Sequence, residues 1–165
     1  VSYWDDEMTA EVSRLEALPS RLRLKVATKV LAWTVRTLDP PIGHPAASSF
    51  VGDGLERAES AVARGQGVVD GVDEMMPRFN ALFEDMAEPR GAQFLSAVLL
   101  LFAQFGSELP ARVVVNLLSD SYEGALYRAT SAAITIEIER STPRAIEVIE
   151  YQKDAIEAAV REAQG

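Results

Sequence analysis

The sequence predicts an all-α protein: one domain, a bundle of about six to seven helices packed around a buried central helix at about residues 91–108. Three observations point there. The stretch Gly91 to Ser107, GAQFLSAVLLLFAQFGS, holds no charged residue, and Phe94, Val98, Leu101, Phe102, Phe105 and Leu109 recur at spacings of three and four. Leu95 and Leu99 widen that arc, so neighbours must cover the helix on most sides. The segments on either side repeat the same spacing with polar outer faces, and Pro, Gly and small polar residues punctuate them. A thin strip of Gln93, Ser96, Gln104 and Ser107 on the central stretch suits either a close helix crossing or the wall of a ligand cavity.

A chain of 165 residues, 48% hydrophobic and 25% charged, is long and apolar enough to bury a core. It has no Cys, which excludes disulfides, thiolate zinc sites and cysteine nucleophiles. The opening VSYWDDEM is acidic and shows no apolar run of a signal peptide, so a cytoplasmic protein is expected. The net charge of −9 argues against nucleic acid and anionic membranes as partners, because phosphates would be repelled, and favours a basic protein. The charge is uneven. Between residues 20 and 52, five cations (Arg21, Arg23, Lys25, Lys29 and Arg36) stand against the single carboxylate of Asp39.

In chain order, Asp5 or Asp6 caps a first helix with Met8, Val12, Leu15 and Leu18 inward, stopping before Pro19. Ser20 caps a second, Arg21 to Leu38, centred on Leu22, Val26, Val30 and Trp33. Its opposite side carries Arg21, Lys25, Lys29 and Arg36, which is either an anion site or a face paired with acidic helices of the same chain. Asp39 to Gly52 reads as loop, containing His44, the one histidine. A lone His cannot assemble a three-histidine metal site, and no nucleophile-elbow pattern supplies a serine partner for it. Asp53 and Glu56 form a capping box for a short third helix, with Leu55, Ala58 and Val62 inward.

A fourth run, Val68 to Met86, carries Met75, Phe79, Leu82, Phe83 and Met86 at helical spacing, with Gly71 and Pro77 as breaks. Met75 and Met76 mark the place where an adaptable binding groove is expected if one exists. Glu88, Pro89 and Gly91 turn the chain into the central helix. Pro110 opens the next helix, through Val113, Val114 and Val115. Asp120 caps another from Ser121 to Arg140, although Ile134 to Glu139 alternates like a short strand. Thr142 and Pro143 open the last helix, packed by Ile146, Ile149, Ile156 and Val160.

Two carboxylate sets carry the functional expectations. On the last helix Glu147, Glu150, Asp154 and Glu157 form an acidic stripe about 15 Å long, softened where Glu157 meets Arg161. This is the expected partner-binding surface. No catalytic residue, metal or cofactor is assigned. The composition suits a non-enzymatic interaction module of the inhibitor or immunity type, which would neutralise a basic partner such as a nuclease toxin. The second set, Glu56, Glu59, Asp70 and Asp73, offers a Mg²⁺-dependent hydrolase of nucleotide-like phosphates as the alternative. Its match to the paired acidic motifs of helical nucleotide pyrophosphohydrolases is loose and carries no family assignment. A helical pocket for an apolar small molecule, lined by the central helix and Met75 or Met76, is the further alternative.

Overall fold

A computed structural model describes residues 2–85 and 91–165. The described residues form eight helices: α1 Ser2–Ala17, α2 Ser20–Arg36, α3 Pro45–Ala63, α4 Val72–Glu84, α5 Ala92–Leu100, α6 Ala111–Ala129, α7 Ile136–Ser141 and α8 Pro143–Gln164. No strand occurs among them, and no described helix is long and apolar enough to cross a membrane. Met86, Glu88 and Pro89, expected to end α4 and turn the chain, lie outside the described residues.

Three helices share the centre. α2 packs on α3, α5, α6 and α8, and α5 on α2, α3, α4 and α6, while α6 adds α1 and α8 to its contacts with α2 and α5. One apolar core runs from Trp4 to Ala159, with Leu22, Val30, Leu31, Phe50, Phe94, Val98, Leu117, Tyr122 and Ile156 removed from solvent. Each such large side chain contributes roughly 1.5–3 kcal/mol by leaving water.

Two glycines within helices let α5 sit this deep. A β-carbon on Gly54 of α3 would stand 2.3 Å from Val98 Cγ1, and one on Gly124 of α6 would stand 2.6 Å from the Phe94 ring. Gly is unfavourable inside a helix by about 1 kcal/mol relative to Ala. Here the close crossing it permits outweighs that loss.

The expected central helix is shorter than its apolar pattern. It ends at Leu100, where Leu101, Phe102 and Ala103 bond back three residues instead of four, and Phe105 and Glu108 exchange backbone hydrogen bonds in a tight turn. Leu101, Phe102 and Leu109 are buried from this turn, so their burial needs no continuous helix. α6 is correspondingly longer. Asp120 lies mid-helix rather than at a cap, because Val113 to Tyr127 presents one unbroken run with Val114, Leu117, Leu118, Ser121, Tyr122 and Ala125 inward.

The chain joints also differ from expectation. α3 starts at Pro45, with His44 as its cap, so Asp53 and Glu56 lie inside the helix and are no capping box. α1 begins at Ser2, which puts Asp5 in its first turn. Pro19, not Ser20, occupies the cap position of α2. Ser20 Oγ instead donates to the Gly67 carbonyl at 2.7 Å and accepts from the Leu109 amide at 2.7 Å, tying two loops to α2. Ile136–Ser141 is helical, capped by Thr135, since Glu139 turns inward to accept from the Tyr122 hydroxyl at 2.8 Å. Thr142 and Pro143 do open α8.

Candidate functional site: an apolar groove with an acidic floor

The groove begins with the sequence of α4. Val72, Met76, Phe79 and Phe83 follow at i, i+4, i+7 and i+11, a single stripe about 16 Å long by the helical rise. Met75 and Leu82 occupy the neighbouring stripe and are buried, so α4 has one apolar face in the core and a second turned outward. Three members of the outer stripe remain open to solvent: Phe83 is 52% exposed, Met76 40% and Val72 37%. Phe79 stacks with Phe83 at 5.5 Å and leans on Phe50 of α3. The ion pairs Arg78–Asp53 (2.9 Å) and Arg57–Glu74 hold α4 against α3, which fixes the direction the outer stripe faces.

Val72, Met76 and Phe79 form one wall of a groove of about 520 Å³ whose other wall is α5 and the turn after it, with Ser96, Leu99, Leu100, Phe102 and Ala103. Asn116, Ser119 and Asp120 of α6 complete it. The weakly polar strip on the central helix thus reaches a cavity wall at Ser96. Of the two methionines singled out, Met76 lines the groove and Met75 belongs to the core.

Asp120 is the groove's one ionisable side chain, and it makes no hydrogen bond or ion pair with another described residue. Burial pushes its carboxyl up to about 6, and Glu123, one turn along α6, adds repulsion. A carboxylate held like this gains from a cation more than a solvated one does, because the cation replaces water it has already lost.

The other expected sites fare differently. On α8, Glu147 pairs with Arg144 at 2.6 Å, and Glu157 is held by Arg14 of α1 and by Arg161. The Arg14 hydrogen bond keeps the Glu157 carboxyl below its usual range. Glu150 and Asp154 are exposed and make no ion pair with a described residue, so half of the stripe is open. Across the bundle, Arg21 and Lys25 reach Glu162 of α8, and Arg36 grips Glu59 of α3 through two bonds of 3.1 and 2.6 Å. Among the described residues, internal pairing therefore accounts for all of the basic face of α2 except Lys29.

The second carboxylate set does not converge. Glu56 and Asp70 border a polar hollow together with Asp53, Arg57, Ser60 and Arg64, while Glu59 is turned to Arg36 and Asp73 stands in the first turn of α4. Among the described residues no three His, Asp or Glu side chains are placed to hold a metal ion. Arg36 engages Glu59, and Arg57 beside Glu56 is engaged by Glu74, so the four carboxylates form no common cation cage among the described residues. His44 Nδ1 accepts from the Ala47 amide at 3.3 Å, a helix-capping role that leaves that nitrogen engaged.

The chain matches no protein-family model, no curated protein and no solved structure.

Proposed function

We propose that this protein is a non-enzymatic interaction module that captures a basic partner, and that the partner enters as a cationic amphipathic helix laid along α4 and into the α4–α5–α6 groove. The observation that carries this is the outward stripe Val72, Met76, Phe79 and Phe83, whose first three members share a groove with Asp120, a carboxylate without an ion-pair partner among the described residues. A helix with apolar anchors at i, i+4 and i+7 matches such a stripe in length and period. The exposed acids flanking it, Asp73, Glu84 and Asp85, together with the net charge of −9, favour Lys and Arg beside those anchors and speed their approach at low salt. Neutralisation of a basic nucleic-acid-cleaving protein is the narrower form of the proposal. The open half of the α8 stripe, Glu150 and Asp154, then adds steering at a distance rather than the anchor.

The test uses a helix-forming Leu/Lys amphipathic peptide and its Leu/Glu counterpart, with binding read by fluorescence anisotropy at low and high salt. The Lys peptide binds and the Glu peptide does not. The double substitution Met76→Glu with Phe83→Glu lowers affinity at least tenfold, about 1.4 kcal/mol, with the thermal melt retained, since both side chains are exposed. Loss of binding in Glu150→Lys with Asp154→Lys, and none in the α4 variant, would move the surface to α8. Equal binding by all variants would sink the proposal.

A further inference from the structure

A second hollow, on the far side of α3 from α4, has the opposite polarity. It measures about 530 Å³ and lies where α2, α3 and α8 meet. Ala32, Val62 and Ala63 make its walls apolar, and Trp33, stacked on Tyr151 with ring centroids 3.9 Å apart and planes within 5°, closes one side. Arg144 sits over the outer face of Trp33 at 4.9 Å, which pins that ring from behind.

Two polar groups of the hollow are unused. Thr28 is 3% exposed, and its hydroxyl oxygen has no hydrogen-bond partner. Thr34, two turns on, satisfies its own hydroxyl by donating to the Val30 carbonyl at 2.7 Å, so the idleness of Thr28 does not follow from being a threonine in a helix. A buried hydroxyl left this way is costly unless something meets it. Lys29 is the other. Its neighbours Lys25 and Arg36 are neutralised by Glu162 and Glu59, whereas Lys29 is exposed and pairs with no described residue. Lys25 and Lys29 also border an adjoining hollow of about 150 Å³ between α2 and α8, faced by Ala155, Ala158 and Ala159.

We infer that this hollow binds a free amphiphilic anion, a carboxylate on an apolar body, with the carboxylate on Lys29 and Thr28 and the body against Val62, Trp33 and Tyr151. The apolar walls exclude a small hydrophilic anion such as sulfate as the natural occupant, and the single uncompensated cation sets the charge at one. The net charge of −9 opposes docking on an anionic bilayer, which separates a free ligand from a lipid headgroup.

Trp33 gives a direct readout. The protein has two tryptophans, and the other, Trp4, is 5% exposed, does not line the hollow and has its indole fixed by donating to Gln152 at 2.9 Å. Titration with dodecanoate below its micellar concentration is expected to change Trp33 fluorescence saturably, one ligand per chain. The methyl ester of the same chain length binds at least tenfold more weakly. Lys29→Gln, at an exposed position, weakens dodecanoate at least tenfold and leaves the ester unchanged. Ala63→Phe, which fills the hollow from an exposed position, abolishes both while the melt is kept. Equal affinity for acid and ester, or dodecanoate binding indifferent to Lys29→Gln, would overturn the anion site. Co-sedimentation with phosphatidylglycerol vesicles at physiological salt, lost in Lys29→Gln, would overturn the free ligand in favour of a lipid surface.

Discussion

The two grooves are nearly the same size, about 520 and 530 Å³, and both have mainly apolar walls, yet among the described residues one carries an acid without an ion-pair partner and the other a base without one. They arise differently. The groove along α4 exists because that helix has two apolar stripes and the core takes only one. The hollow beside α2 exists because small residues (Ala32, Ala63) meet at a three-helix junction that the Trp33–Tyr151 stack does not fill. The first invites a long helical partner along an open stripe. The second suits a compact molecule that can go between helices. Net charge therefore predicts little about a given site. In a chain of net charge −9, nearly every cation of α2 is paired, and the one left over defines a local site of the opposite sign.

Changes to the walls common to the core should have the largest effect. Phe102 lines the α4 groove and is 2% exposed, and Val98 beside it is fully buried. Phe102→Asp or Val98→Asp is expected to abolish cooperative folding and with it both grooves, as judged by the loss of a sigmoidal thermal transition. A smaller step on the same axis is Gly124→Ala, where the added carbon meets the Phe94 ring. Overpacking of about 1–3 kcal/mol should exceed the helix-propensity gain and lower the melting temperature.

Tyr122→Phe probes whether α7 depends on the buried polar contact. It leaves the Glu139 carboxyl, 2% exposed, without its donor, and about 1–3 kcal/mol of stability is expected to go, read by urea unfolding.

The sharpest contrast comes from the two unpaired groups. Asp120 has a folded value of about 6 against an ordinary 3.8, so the native state binds the extra proton. Its ionisation penalises folding: the penalty is absent below pH 3.8, grows as pH rises, and is complete above about 6. Asp120→Asn is therefore expected to stabilise at neutral pH by about 1–2 kcal/mol, after discounting for the part of the carboxyl that water still screens, and to change nothing in acid. The same variant should weaken the Lys peptide. Wild-type affinity for that peptide should rise from pH about 5 to about 7 as Asp120 ionises. Thr28→Val gives the smallest shift, a rise of about 1 kcal/mol in stability from replacing an idle hydroxyl by a methyl, together with weaker dodecanoate binding. If Thr28→Val were neutral in both respects, the two sites would no longer be comparable, and the α2 hollow would reduce to a surface depression.

Much of this was legible beforehand. The inward positions Met8 and Leu15 of α1, Leu18 just past its end, Leu22, Val26 and Val30 of α2, and Phe94 and Val98 of α5 follow from period alone, because an apolar stripe has only the core to go to. The first-turn proline of α8 also reads directly. Reading Pro45 as a loop residue shortened α3, since His44 is an uncommon cap and gave no sequence signal. Arg23 was invisible as well. It looks like one more cation on a basic helix, yet it is 7% exposed and donates to the carbonyls of Leu18 and Leu109, satisfying two loop ends inside the fold.

What the sequence alone determined is the helical class, the faces that must be buried and the total charge, because these depend on neighbours along one helix and on composition. Which charges cancel over long range was decided by tertiary structure. Along α8 the local pairs Arg144–Glu147 and Arg161–Glu157 follow from helical spacing, but only the fold brings Arg14 of α1 to Glu157 and draws Lys153, three residues from Glu150, to Glu7 instead. In the same way Asp120 reads as a cap until α4 and α5 close round it, and Thr28 as an ordinary helix residue until α3 and α8 bury it. Ion pairing and desolvation act through space over a few ångströms, between residues as distant in sequence as Arg14 and Glu157, so no one-dimensional pattern records them.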